Sequence, residues 1–507
     1  MKRWLGPENA RPQAKQGIYA ETHDEPAPSD IPNFPKSPTD FYRAQPVTDR
    51  RIHVMGLGSV GKWVAHSLKG IPNAPPVTLL FHNRSKLQEW EKSPRKLQVI
   101  TDGDAERREG FESELAVARL RFHGKEIGAR NSDLSQEASD AQSQASREPE
   151  LVYGESDEPI NSLILCMKST QVLSAVSAVK HRLHKESVIC FLQNGMGTVE
   201  AVTQEIFPDP ETRPHYMVGI NSHGMHMGND PFSVVHAGFG TIALGMLPNE
   251  RIRGSAPYAP VSASQAEGSQ STGEPAYTAN SDRSVPSPTP ETFLWTQNQR
   301  YLLRTLLRTP VFCATGFSPT DLLQLQLEKL AVNCIINPLT VMLDARNGSV
   351  LYNYHLTRVM RLLLSEIALV IRSLPELQNV PNVQRRFDTG RLESIVVGVA
   401  NRTRDNISSM LADVRNDNET EIDYINGWIV KKGEELGIKC FMNYMITLMV
   451  KGKRGLVHME LNEGIPFVEA RPGEGEIVIK DQSGKDVPLE EMMNRAELES
   501  QGPVKDA

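Results

Sequence analysis

Ile52-His53-Val54-Met55-Gly56-Leu57-Gly58-Ser59-Val60-Gly61 is the stretch that decides the fold. Four residues of strand character run into glycines spaced G-x-G-x-x-G, and Lys62 to Leu68 continues with a helical pattern. Strand, glycine-rich turn and helix in that order open a dinucleotide-binding unit. The first two glycines permit a tight turn and close backbone approach to a pyrophosphate, and the third lets the helix lie on its strand with its N-terminus aimed at phosphate. A second strand, Val77-Thr78-Leu79-Leu80-Phe81, follows. Gly56, Leu57, Gly58, Ser59, Val60 and Gly61 are therefore predicted to bind the cofactor.

The residues that end the second strand bear on which dinucleotide enters. An NAD site usually carries a carboxylate there for the ribose 2′-hydroxyl, whereas this chain has His82-Asn83-Arg84-Ser85-Lys86, two cations and no acid. That favours NADP(H), with Arg84 facing the 2′-phosphate as a planar fork and Lys86 adding a point charge. Further along, Leu163 to Met167 is a buried-strand run ending in Lys168, which places Lys168 at the sheet edge that faces the ligand crevice in open α/β folds. Val188 to Leu192 repeats the plan, with Gln193-Asn194-Gly195-Met196-Gly197-Thr198 as its outgoing turn. Asn194 offers a donor and an acceptor beside the reacting carbon, or serves as a turn residue bonding its own backbone. Met217 to Ile220, Ser233 to His236, Thr241 to Leu244 and Val311 to Cys313 read as further strands, and Trp295 to Leu307 as a helix. His223, His226 and His236 have no acidic or thiol partner at metal-ligand spacing, so no metal site is predicted.

Outward from this unit, Glu328-Lys329-Leu330-Ala331-Val332-Asn333-Cys334-Ile335-Ile336-Asn337-Pro338-Leu339-Thr340 carries the second signal. Lys329, Asn333 and Asn337 recur every four residues, which puts them on one narrow stripe of a helix. Everything between them is apolar, so the helix is expected to be buried and its polar groups with it. Such groups need partners, from another helix or from a ligand. Pro338 is expected to end or kink the helix. Beyond it the pattern stays helical to about residue 450, with segments at Leu356 to Leu374, Asn406 to Val414 and Thr420 to Leu436, the last stopped by Gly437. Ser408 and Ser409 near a helix start either cap it or reach a carboxylate ligand. Glu421 either complements a helix dipole or orients Lys329.

Composition limits the alternatives. The chain has 507 residues, 39% hydrophobic and 23% charged, enough for two domains, and its net charge of −7 gives no sign of nucleic-acid binding. Its five cysteines are widely spaced and sit mostly in apolar runs, as reduced thiols do. No apolar run reaches membrane-spanning length, and no membrane partner is expected. A cytoplasmic location is expected. Lys2, Arg3, Arg11 and Lys15 leave a mitochondrial one open, although Glu8, Glu21, Asp24 and Glu25 break the basic pattern. The expected organisation is an extended or disordered arm over 1–50, an α/β Rossmann-like domain over 51–320 with polar insertions near 131–159 and 253–291, an all-α domain over 321–452, and a charged tail over 453–507.

Taken together, Gly56-Leu-Gly-Ser-Val-Gly61, Lys168 after its strand, Asn194-Gly-Met-Gly-Thr198, Lys329 to Thr340, Asn406-Ile-Ser-Ser-Met-Leu411 and Thr420-Glu-Ile-Asp-Tyr-Ile-Asn-Gly427 resemble the ketopantoate reductase (2-dehydropantoate 2-reductase) family from about Arg51 to Lys453. The resemblance implies a cleft between the two domains in which NADPH reduces ketopantoate to (R)-pantoate for pantothenate and coenzyme A synthesis. It implies Lys329 as general acid, Asn194, Asn333 and Asn337 on the substrate oxygens, Ser409 and Asn406 at the substrate, Glu421 orienting Lys329 or touching the cofactor ribose, and Lys168 near both ligands. The partner expected is a small keto acid, with a homodimer left open. Another 2-keto acid reductase on the same scaffold, or a cofactor-binding regulator, are the competing readings.

Overall fold

The computed structural model describes residues 49–117, 120–122, 125–127, 154–249 and 295–462, with three short strands in the tail. The expected N-terminal arm, the second insertion and most of the first lie outside the described residues. The first elements among the described residues are β1 (Ile52–Met55), α1 (Ser59–Lys69), β2 (Val77–Phe81), α2 (Arg84–Lys92), β3 (Leu97–Thr101), β4 (Asp104–Arg108) and β5 (Glu112–Leu115). A small ribbon, β6 (Leu120–Phe122) and β7 (Lys125–Ile127), precedes β8 (Ser162–Leu165), α3 (Val172–Val179), β9 (Val188–Phe191), α4 (Thr198–Glu205) and β10 (His215–Asn221). Then come β11 (Gly224–Met227), β12 (Ser233–Gly238), β13 (Ile242–Met246), α5 (Gln297–Leu307) and β14 (Ala314–Gly316).

The main sheet has the order β14-β13-β10-β9-β8-β1-β2-β5. From β10 to β5 every pair is parallel. Those six strands follow the doubly wound order, which reverses between β1 and β8, and ligands bind in the crevice at such a reversal. β1, β2, β8 and β9 are buried along their whole length, which is why they read as unbroken apolar runs.

Two glycines lock the reversal point. Gly56 has φ +90°, and a Cβ there would sit 2.3 Å from the Met167 backbone nitrogen; a Cβ on Gly61 would sit 2.2 Å from the Gly56 oxygen. Any larger residue pushes the β1 turn off the β8 turn or lifts α1 from β1. Gly58 differs, because a Cβ there meets nothing within 4 Å.

The second half of the chain is helical: α6 (Pro319–Leu343), α7 (Tyr354–Arg372), α8 (Val383–Arg386), α9 (Thr389–Arg402), α10 (Ser409–Arg415), α11 (Asn426–Glu435) and α12 (Phe441–Asn462). Ser318 caps α6 by accepting from Asp321 N, with Pro319 at the first helical position. α6 is the centre of this half, contacting α7, α9, α10 and α12. Leu327, Leu330, Ala331, Cys334, Ile335 and Val341 lie in one apolar cluster with Leu363, Ile367 and Val396.

Several expectations need correction. α6 does not end at Pro338 but continues to Leu343. Pro338 has no N–H for the Cys334 carbonyl one turn back, and Asn426 Nδ2 donates to that carbonyl instead, at 2.9 Å. Val311 to Cys313 is no strand: Pro310–Phe312 forms a 3-10 turn, Cys313 adopts φ +43°, and the strand is Ala314–Gly316 against β13. β4 and β5 form in polar sequence: β4 is a mostly exposed strand held by its ladder to β3, and β5 pairs with β2 at the edge of the main sheet. The helix expected from Asn406 starts at Ser409, and Thr420 to Leu436 is broken at Ile425 between a 3-10 turn and α11. α12 runs beyond 452, to Asn462.

The glycine geometry makes a direct prediction. Gly56→Ala and Gly61→Ala each lower unfolding free energy by about 1–3 kcal/mol through overpacking, while Gly58→Ala changes it by less than about 0.5 kcal/mol. Denaturant melts of the three variants check the contrast.

Candidate active site

Lys329, at the head of the α6 stripe, meets the sheet at its carboxyl edge. Lys329 Nζ donates to Asn194 Oδ1 at 2.8 Å and to Asn221 O at 2.7 Å. Asn194 Nδ2 in turn donates to Glu421 Oε2 at 3.3 Å. Glu421 is buried, and its other oxygen accepts from Ser169 N at 2.9 Å, with Ser169 Oγ 3.0 Å away. Ser169 Oγ also lies 2.7 Å from Asn194 O. A carboxylate, a carboxamide and an ammonium thus stand in line. The carboxylate fixes which end of the Asn194 amide turns to the lysine. Glu421 reaches Lys329 only through the Asn194 amide.

The lysine is perturbed accordingly. Burial lowers the Lys329 pKa from its ordinary value to about 8, with Glu421 opposing the shift. Two of its three N–H donors are engaged by protein, which leaves one for a ligand. Asn333 and Asn337 lie one and two turns further along the same stripe, Asn333 partly buried and Asn337 7% exposed. Neither side-chain amide has a hydrogen-bond partner among the described residues, unlike the amides of a satisfied interhelical network.

The remaining candidates divide. Ser408 is the cap of α10: its Oγ accepts from Leu411 N at 3.1 Å and meets Thr340 Oγ1 at 2.7 Å. Ser409 and Asn406 are exposed beside it. Lys168 is engaged across the cleft, donating to Asp413 Oδ1 at 2.6 Å and Glu419 O at 3.0 Å. Burial raises the Asp413 pKa and Lys168 holds it down. Asn221, Ser169 and Asp413 were missed by sequence reasoning. Asn221 ends β10 and Ser169 opens the 3-10 turn after β8, positions where crevice residues collect, but Asn221 contributes a backbone carbonyl that leaves no mark in sequence.

A short path of residues joins this chain to the glycine turn. Met167, against which Gly56 closes, lies two residues before Ser169, which bonds Glu421. At the turn itself α1 begins with Gly58, without a side-chain cap and without an acid in its first turn. Its free N–H groups and the empty space at the Gly58 α-carbon fit a dinucleotide pyrophosphate. Arg84 and Lys86 open α2 at the end of β2, where Asn83 caps the helix through Ser85 N at 2.7 Å. A groove of about 1210 Å³ lined by Gly195, Met196, Gly197, Gln324 and Trp428 opens behind the Asn194 turn and contains neither Lys329 nor the glycine turn. His223 and His236 bond each other at 3.1 Å beside Trp63, His226 is exposed, and no group of three metal-ligating side chains occurs among the described residues.

Two family models match: "Ketopantoate reductase PanE/ApbA" over residues 52–249 and "Ketopantoate reductase PanE/ApbA C terminal" over 321–454. The chain belongs to the ketopantoate reductase family. Ketopantoate reductases similar to it include the probable 2-dehydropantoate 2-reductase of Schizosaccharomyces pombe, 25% identical over 410 residues, covering 80% of this chain and 97% of the relative. A ketoisovalerate reductase of Gibberella fujikuroi is 24% identical over 491 residues, covering 89% of this chain and 90% of that one. Among solved structures, a D-mandelate dehydrogenase shares the fold with a TM-score of 0.53 at 16% identity, covering 80% of this chain and 99% of that chain. Membership makes the chain an oxidoreductase of the ketopantoate reductase type. No helix among the described residues is long and apolar enough to cross a membrane.

The two adjacent serines allow the cap seen at Ser408 to be told apart from the keto-acid role expected of Ser409. Ser408→Ala loses about 1 kcal/mol of stability with its cap; Ser409→Ala unfolds as wild type does but raises KM for the keto acid about tenfold through one lost charge-assisted hydrogen bond. Paired melts and initial-rate kinetics measure both.

Proposed function

We propose that this chain reduces 2-dehydropantoate to (R)-pantoate with NADPH, the step that supplies pantothenate and coenzyme A synthesis. The observation that carries the reading is the Lys329–Asn194–Glu421 chain together with the unpaired amides of Asn333 and Asn337 on the same helix face. NADPH, when bound, would supply the hydride; Gly56 to Gly61 would hold its pyrophosphate, and Arg84 and Lys86 would face its 2′-phosphate. Lys329 Nζ holds the proton the new alkoxide takes. At neutral pH the amine is mostly charged, so it stabilises the growing negative charge and then releases the proton to the oxygen, leaving a neutral amine and a hydroxyl. Asn194 and Glu421 keep that amine pointed at one place.

The long polar stripe supports a hydroxylated substrate. Asn333 and Asn337 follow Lys329 by about 6 and about 12 Å along the helix axis. A bare 2-keto acid ends its polar atoms near the carbonyl and carboxylate, whereas the hydroxyl of ketopantoate adds a donor and acceptor at the far end for a neutral amide. A site built to bond that hydroxyl discriminates against an analogue without it. The second reading, reduction of a 2-keto acid lacking the hydroxyl, is favoured by the similarity to a ketoisovalerate reductase. Of the soluble compartments, the cytoplasm is the expected place of action, and a homodimer is compatible with the reading.

Lys329→Ala is expected to lower kcat by about 10²- to 10⁴-fold while NADPH still binds. A keto-acid panel followed at the nicotinamide absorbance separates the readings: preference for 2-ketoisovalerate over ketopantoate overturns the proposed substrate, and equal turnover by the variant overturns the assigned acid. Because the acid must be protonated, kcat falls as pH rises through about 8. Glu421→Gln removes the group that raises the lysine pKa, so this limb moves to lower pH. Arg84→Ala is expected to raise KM for NADPH about tenfold and leave KM for NADH nearly unchanged.

A further inference from the structure

Asn426 has no role in the reading above. It is wholly buried, and both hydrogens of its amide are placed: Nδ2 donates to Cys334 O at 2.9 Å and to Asn443 Oδ1 at 3.1 Å. Cys334 is four residues before Pro338, so its carbonyl is the one deprived of a partner by the proline. In most helices such a carbonyl opens a hinge between residues i−4 and i. Here that hinge would fall between Asn333 and Asn337. Yet α6 continues over 25 residues.

We propose that Asn426 is a positioning residue for the keto acid: its amide replaces the N–H that Pro338 lacks and so holds Asn337 in line with Asn333 and Lys329. The proposal rests on the assignment of those two asparagines to substrate. The orientation of Asn426 is not accidental. Asn443, also wholly buried, donates to Glu366 Oε2 at 2.8 Å, which turns its own Oδ1 toward Asn426. Glu366 is fixed by accepting from Met442 N and Asn443 N, each at 3.0 Å. Asn426 lies five residues after Glu421, which opens the intervening 3-10 turn Ile422–Tyr424, so one short segment holds the carboxylate behind Lys329 and the prop under α6. The Oδ1 of Asn426 is buried without a partner among the described residues, a cost a purely stabilising side chain would avoid.

The test is a double-mutant cycle in the full chain with NADPH and ketopantoate. Asn426→Ala is expected to raise KM for the keto acid about tenfold or more, as a displaced binding group does, with NADPH affinity within about twofold of wild type. In Pro338→Ala the helix recovers its own N–H at this carbonyl. Adding Asn426→Ala to that background is expected to change KM by less than about threefold, even though melting stays depressed by the lost bond to Asn443. A general packing defect would lower the melting temperature in both backgrounds without this rescue. An unchanged KM in Asn426→Ala, or the same rise in both backgrounds, overturns the proposal. Should Asn426→Ala fail to fold, Asn426→Asp, of nearly equal volume but without the two amide donors when ionised, goes through the same cycle with the same expected outcomes. Amide exchange over 334–343 reads the hinge directly: faster in Asn426→Ala and restored in the double variant supports it, unchanged overturns it. A wild-type chain inactive on every 2-keto acid offered removes the assigned reaction, while the exchange cycle still decides whether Asn426 props the helix.

Discussion

Lys329 is held by two neutral oxygens, and the carboxylate that balances it stands one amide away. That spacing sets the chemistry available to the amine. A carboxylate in direct contact, at about 4 Å and an effective dielectric of about 20, would favour the charged form by about 4 kcal/mol, or about three pK units. Such a pair would keep the proton on nitrogen far above neutrality. With Asn194 between them, Glu421 opposes the burial penalty without cancelling it, and the pKa settles near 8. The amine is then largely charged at pH 7 and close enough to neutrality to release its proton.

The same interposed amide makes the two halves of the chain depend on each other. Asn194 stands on the turn after β9, and that turn is held from the helical side: Met196 N donates to Tyr424 O at 2.8 Å. Gly195, with φ +78°, permits this approach, since a Cβ there would lie 2.5 Å from the same Tyr424 oxygen. Lys168 and Asp413 tie the end of β8 to α10. With exposures of 30% and 16%, that ion pair is partly screened, and its value lies more in geometry than in free energy. The sheet supplies acceptors for an ammonium that the helices bring, and neither half presents the chain of three groups alone.

How much of this was legible follows from what each contact is made of. The glycine turn was readable because positive φ and close backbone approach admit one residue type, and the stripe Lys329-Asn333-Asn337 because four-residue spacing in an apolar run is unambiguous. β4 escaped because an exposed strand held by its ladder carries no alternating apolar signal. The Asn221 carbonyl escaped because every residue has one. Pro338 misled for a different reason. Its local rule is sound, but a side chain 88 residues later supplies the missing donor, and pairings across such a separation leave no pattern in a single sequence.

A second lysine shares the titration window of Lys329 and has to be told apart from it. Lys62, 3% exposed on α1, bonds Met227 Sδ and Pro231 O, and its pKa also falls to about 8, from burial first and then from the nearby Lys86. It sits on α1 just past the glycine turn, with Lys86 nearby. Both lysines therefore lose charge over the same pH range, one on α6 and one just past the glycine turn. Their surroundings differ in a usable way. Asp230 and Glu89 are the acids that act on Lys62, while Glu421 is the one that acts on Lys329. Neutralising Glu421 thus displaces the Lys329 ionisation and not that of Lys62, so under the proposed reaction an alkaline limb of kcat that follows the Glu421 charge belongs to Lys329.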